Sequence, residues 1–79
     1  MTITADSIAL HQAVEILELD QNETGQRLNE MGFLPGKSLE LLISAPFGDP
    51  LAFKIDNSVI ALRKEEAKLI RVKLIGTAA

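Results

Sequence analysis

The run Leu28-Asn29-Glu30-Met31-Gly32-Phe33-Leu34-Pro35-Gly36 constrains the fold more than any other stretch of this chain. Two glycines and one proline punctuate nine residues, and four of the other six are large and apolar. Gly32 suits the position just past a helix end, because the positive φ required there is cheap only for glycine. Leu34-Pro35-Gly36-Lys37 matches a type II turn, with proline second and glycine third. A helix end, an apolar step and a turn into a strand would set bulky side chains over the opening of a small sheet.

Such a segment must serve a small domain. Seventy-nine residues make one domain over 1–79, with its core expected at about 13–74. A chain this short buries only about 60% of its unfolded surface. With no cysteine, it has no disulfide, thiolate metal site or thiol nucleophile. Packing alone must hold it together. The 47% apolar fraction is at the upper end for a soluble domain, and part of it is expected at the surface, facing a partner.

Reading along the chain, residues 1 to 6 are small and polar apart from Ile3, and a short turn starts at Asp6 or Ser7. Ala13 to Leu19 is strand-like, but its alternation slips. Val14 and Ile16 share one face, Leu17 and Leu19 the other, which marks a bulge or sharp bend. Asp20-Gln21-Asn22-Glu23 has capping-box spacing, with Asp20 as N-cap. The helix then runs to about Met31, weakened by Gly25. Thr24, Leu28 and Met31 share one of its faces.

From Lys37 the period is two, with Leu39, Leu41 and Ile43 on one face and Leu42 as the exception. Ala45 to Pro50 is a loop, because its prolines and glycine exclude a regular strand. Phe47 stands at its tip. Leu51, Phe53 and Ile55 alternate cleanly, Asp56-Asn57 makes a two-residue turn, and Ser58 to Leu62 returns. One helical turn spans Arg63 to Lys68. Ile70, Val72 and Leu74 form a last strand, and Gly76 to Ala79 a frayed tail. The expected fold is mainly β with short helices: a small SH3-like five-stranded barrel with one inserted helix and one helical turn. An OB-type barrel is the second choice.

Catalysis has little to stand on. His11 is the sole histidine and has no evident partner. Glu65 and Glu66 are adjacent, and adjacent helical residues point apart. No phosphate-cradling glycine loop leads into a helix. Asp49, Asp56 and Glu66 are too scattered for a hard metal site, and Met31 is better read as a core gap-filler than as a thioether ligand. No catalytic, cofactor or metal-ligating residue is therefore assigned. A net charge of −3, no Tyr or Trp and three Phe argue against a nucleic-acid surface. No apolar stretch reaches the ~20 residues of a membrane span. The chain has no basic residue before Arg27 and no apolar leader, so the expected location is the cytoplasm. The Leu28, Met31, Phe33 and Leu34 cluster has two readings. Either all four cap the core, or Leu28 and Met31 pack inward while Phe33 or Leu34 joins Phe47 in a docking patch.

Several pieces fall in a familiar order: Arg27-Leu28, Met31-Gly32-Phe33, Pro35-Gly36, Ala45-Pro46-Phe47-Gly48-Asp49-Pro50-Leu51, Ile60-Ala61-Leu62-Arg63, Glu66-Ala67 and Ile70-Arg71-Val72. This order resembles the FeoA family (ferrous iron transport protein A), whose fold is also that of the C-terminal domain of DtxR-type iron-dependent repressors. The resemblance implies an SH3-like barrel in the bacterial cytoplasm. It implies support of ferrous iron uptake through FeoB, a membrane transporter with a cytosolic GTPase domain, by binding rather than by chemistry. The family is also often labelled as binding transition metals, with no fixed ligand set. A ferrous ion is the cofactor this allows, and the resemblance assigns it no residue.

Gly32, Pro35, Gly36, Pro46, Gly48, Pro50, Arg63, Glu66 and Ala67 are the motif positions expected to preserve the fold. Arg63 and Glu66 are expected to pair across the helical turn. Members often carry a glycine before the first barrel strand, where this chain has His11-Gln12-Ala13.

The leading expectation is a non-catalytic accessory module docking on FeoB's cytosolic GTPase part through Leu28, Met31, Phe33, Leu34 and Phe47. The alternative is a stand-alone regulatory domain that senses metal or binds a proline-containing peptide. Edge strands of a partly open barrel would allow a homodimer.

Overall fold

The period-two stretches become strands. The computed structural model describes residues 3–75; the expected frayed tail at Gly76 to Ala79 lies outside them. In chain order the elements are β1 (Ile3–Thr4), β2 (Ala13–Leu19), α1 (Glu23–Glu30), β3 (Ser38–Ser44), β4 (Leu51–Ile55), β5 (Ser58–Leu62), α2 (Lys64–Ala67) and β6 (Ile70–Leu74). The strands are all antiparallel, in the order β1-β6-β2-β3-β4-β5, and curl around one core. The described residues thus hold six strands, one more than expected. Ile3 and Thr4 pair with Val72 and Arg71, and Ala5 behind them is fully buried in a short 3-10 turn. Small residues gave that segment no strand signal, although packing against the core decides its structure.

Two bulges set which side chains face inward. In β2 the register shifts between Ile16 and Glu18 against β6. Leu17 is the extra residue and lies exposed, so Leu19 returns to the core beside Val14 and Ile16. The expected bulge is present, but Leu17 and Leu19 do not share a face. In β3 the shift falls between Leu41 and Ile43. Leu39 and Leu41 are buried, while Ile43 is turned out to solvent instead of continuing their face.

The helix α1 begins two residues later than its sequence suggests. Asn22, not Asp20, is the N-cap, its side-chain oxygen accepting the Gly25 N–H at 2.7 Å. Asp20 is held back because its own N–H donates to the Leu69 carbonyl at 3.0 Å. At the other end Gly32 has φ 111°. Its N–H donates to the Asn29 carbonyl (3.0 Å) and that of Phe33 to the Leu28 carbonyl (3.1 Å). This crossed pair is a Schellman closure, and Leu28 and Phe33 are both buried, as such closures favour. Met31, expected inward with Leu28, caps the helix and is exposed.

The remaining turns follow their residues. Gly36 has φ 92°, and the Lys37 N–H donates to the Leu34 carbonyl at 3.1 Å, as a type II turn requires. Asp56 has φ 53° between the paired Ile55 and Ser58, and its carboxylate reaches Lys37 at 3.0 Å. In α2 the Glu66 carboxylate accepts the Arg63 backbone N–H at 2.8 Å. The Arg63 guanidinium instead faces Asp49 at 3.9 Å, so the expected pair is a helix cap rather than an ion pair. Ala67 is fully buried.

Gly25 is buried inside α1, and a Cβ there would stand 1.9 Å from the Asp20 carbonyl oxygen. Gly25→Ala is therefore expected to destabilise by roughly 1–3 kcal/mol, although alanine is the better helix former by ~1 kcal/mol. Urea unfolding checks the sign; a more stable variant would contradict the clash. Gly32 has open space around it, so Gly32→Val probes backbone strain alone and should lower stability by at least about 1 kcal/mol in the same melt.

Candidate functional site

The loop from Ala45 to Pro50 displays Phe47 in a way its sequence does not require. Pro46 opens a single 3-10 turn, closed by the Gly48 N–H to the Ala45 carbonyl at 2.8 Å. The Ala45 N–H donates to the Pro50 carbonyl at 3.1 Å. Asp49 Oδ1 accepts the Lys64 N–H at 3.0 Å, fastening the loop to α2. Within this clamp Phe47 has φ 70° and a fully exposed ring. A bulky aromatic in left-handed backbone is strained, and an apolar ring in water is unfavourable. Strain held by surrounding structure is commonest where a binding site needs it.

Phe47 has company. β2 begins, and β3 and β6 end, at the same end of the barrel, as the bonds from the His11 N–H to the Leu41 carbonyl (2.6 Å) and the Ile75 N–H to the Ala13 carbonyl (3.4 Å) show. Leu10, Ile43, Leu74 and Ile75 are all exposed there. Sequence reasoning missed these four. Leu10 sat in an unassigned turn, Ile43 and Leu74 were counted with the inward face of their strands, and Ile75 lay beyond the last one. The out-of-phase Leu42 was the one available signal, since a bulge at Leu42 turns Ile43 outward.

The docking residues expected from sequence are not brought together. Leu28 and Phe33 are core residues, 1% and 0% exposed. Met31 and Leu34 are exposed at the far end of β3 from Phe47, so the strand's length, roughly 20 Å, separates them. The reading with all four as core caps fails at Met31 and Leu34. The reading with Met31 inward fails as well.

Polar groups form one tight cluster. Arg71 donates from Nη1 to Asp20 at 2.6 Å and from Nε to Glu18 at 2.8 Å. Those hydrogen bonds, Asp20's first, push the guanidinium pKa further above its ordinary value. A shallow cleft of about 370 Å³ lies beside them, lined by Glu18, Asp20, Gln26 and Glu30. His11 has φ 64°, a left-handed backbone that glycine adopts more easily, and its Nδ1 lies 3.7 Å from Glu40 Oε2. Two such groups do not make a metal site, and among the described residues no group of three or more His, Cys, Asp or Glu could hold an ion.

Topology and surface define the class: a small SH3-like β-barrel domain with an exposed apolar rim. The FeoA domain family model matches residues 3–74, and the chain belongs to that family. A fusion protein of Fe(2+) transport protein A and Fe(2+) transporter FeoB from Porphyromonas gingivalis is 39% identical over 54 residues. The match takes in 68% of this chain and 6% of that protein, so the chain spans a small part of its curated relative.

Iron(II) transport protein A from Clostridium thermocellum is 36% identical with a TM-score of 0.86, over 92% of this chain and 46% of that one. FeoA from Stenotrophomonas maltophilia, solved with zinc and described as an SH3 domain protein, is 26% identical with a TM-score of 0.81, over 90% and 89%. In fold alone the likeness extends to IdeR from T. acidophilum, 17% identical with a TM-score of 0.80 over 94% of this chain and 34% of that one.

Phe47→Gly removes the left-handed strain and the exposed ring together. It is expected to raise stability of the isolated protein by up to ~1 kcal/mol. A lower melting temperature would mean that the ring packs against something after all.

Proposed function

We propose that this chain is a non-catalytic accessory domain of ferrous iron uptake, docking in the cytoplasm on the cytosolic GTPase part of a FeoB-type transporter. Family membership supports the iron-uptake setting. The Porphyromonas gingivalis protein supports the partner, because it joins the two components in one chain, and covalent linkage raises the effective concentration of one part for the other. None of the helices among the described residues is long and apolar enough to cross a membrane. Iron is then the transporter's cargo, and the domain acts by changing how often the transporter opens or turns over nucleotide.

The observation that carries this reading is Phe47, held fully exposed at φ 70° by a clamped loop. An exposed aromatic beside other apolar side chains is a common anchor of protein interfaces. Covering Phe47 and Ile43 would supply roughly 3–6 kcal/mol before the costs of association. The rim of Leu10, Ile43, Phe47 and Leu74 is the docking surface in this proposal. Met31 and Leu34 are left as a separate apolar pair at the other end.

Titration of isotope-labelled protein with the cytosolic domain of FeoB is the test. Amide resonances at Leu10, Ile43, Phe47 and Leu74 are expected to move, and Phe47→Gly to weaken binding at least about tenfold. Shifts confined to Met31–Pro35 would relocate the surface to the opposite end. No shift at high partner concentration would remove the docking proposal.

A further inference from the structure

The barrel is open along one side, and that side is β5. Among the described residues no strand pairs with its far edge. Ser58-Val59-Ile60-Ala61-Leu62 contains no charge, proline or glycine, the devices that normally blunt an exposed edge. The other edge strand, β1, has only two residues. Hairpin geometry fixes which groups of β5 are free. Ile55 and Ser58 close a two-residue turn and form a hydrogen-bonded pair. Bonded and non-bonded pairs alternate from there, so Ile60 and Leu62 face β4, while the N–H and C=O of Val59 and Ala61 point outward.

We infer that β5 pairs antiparallel with β5 of a second copy of this chain, about a two-fold axis through Ile60. That register sets Val59 opposite Ala61 of the second copy, and Ala61 opposite Val59, so both outward-facing residues of each strand are satisfied at once. The register also matches charge. Past the strand ends, the same register brings Asp56 and Asn57 of the turn toward Arg63 and Lys64, at the start of α2, of the second copy, and two-fold symmetry makes this approach twice. The Asp56 and Lys64 side chains are both exposed, and Asp56 meets Lys64 of the second copy while keeping Lys37 of its own chain at 3.0 Å. Val59, an exposed valine next to the axis, is covered in the pairing. Five residues of edge bury less than the ~1,000 Å² of a stable interface, so the dimer is reversible and forms at high concentration.

A dilution series of the whole protein from roughly 0.02 to 2 mM, followed by translational diffusion and amide shifts, tests the pairing. Diffusion is expected to slow with concentration while Val59 and Ala61 shift most. Ala61→Pro removes an outward N–H without touching the β4 ladder and should raise the dissociation constant at least about tenfold. Lys64→Glu turns attraction to Asp56 of the second copy into repulsion and should weaken association severalfold. Added salt should weaken the wild type in the same direction. Should Ala61→Pro fail to fold, the Lys64→Glu and salt arms decide alone. Diffusion constant over the whole range, or a dimer untouched by Lys64→Glu and salt, overturns the inference. So does an edge that responds only to an extended strand of a different protein.

Discussion

Everything in this fold depends on getting Phe33 inside. A chain of 79 residues with no cysteine must close its core by packing alone. Among the described residues that core is sixteen apolar side chains with no buried polar one. Phe33 and Phe53 are its two largest fully buried members. Phe53 arrives on a strand by simple alternation. Phe33 arrives from a helix, and only the left-handed step at Gly32 turns the chain sharply enough to deliver it beneath the barrel while Leu28 packs from the helix side. The following type II turn at Gly36 then starts β3 in phase, with Leu39 and Leu41 inward.

The two bulges distribute what is left. In β2 the extra residue restores the inward face at Leu19 and leaves Glu18 directly opposite Arg71. Asp20 then reaches the same guanidinium, so the end of β2 and the start of β6 share one charged fastening. In β3 the bulge does the reverse for the surface. It ends the inward face at Leu41 and turns Ile43 outward toward the end where Phe47 stands. Core closure and rim formation thus come from two separate bulges, one in β2 and one in β3.

Much of this was legible in the residues themselves. The alternation of Leu51, Phe53 and Ile55, the Asp56-Asn57 turn, the Gly32 helix end and the Pro35-Gly36 turn all read directly, because each rests on a local backbone preference. The family order of motifs was legible too. What could not be read depends on distant partners. The strand at Ile3–Thr4 exists because β6 offers an edge. Asp20 loses its capping role because its N–H joins Leu69, and Glu66 caps Arg63 while Asp49 draws the guanidinium away. Gly25 looked like a weakness in a helix, and its reason is a carbonyl five residues earlier in the chain. Of the docking residues, Phe47 stood out as an apolar loop tip and Leu28 read as inward from its helix face, but Phe33, Leu34 and Met31 could not be sorted into core and surface from the sequence. Leu10, Ile43 and Leu74 became visible only once the strand ends were placed side by side.

The charged fastening at Arg71 joins residues 53 and 51 positions apart in the chain, and β2 finds its second neighbour only in β6. During synthesis on the ribosome, β2 through β5 can assemble as a meander while one flank of β2 stays bare. That flank leaves backbone groups between Val14 and Leu19 without their β6 partners, and the core beside Val14, Ile16 and Leu19 still lacks Ile70 and Val72. The nascent barrel therefore spends its most adhesive interval waiting for Ile70 to Leu74 to emerge, and long-range closure is its slow step.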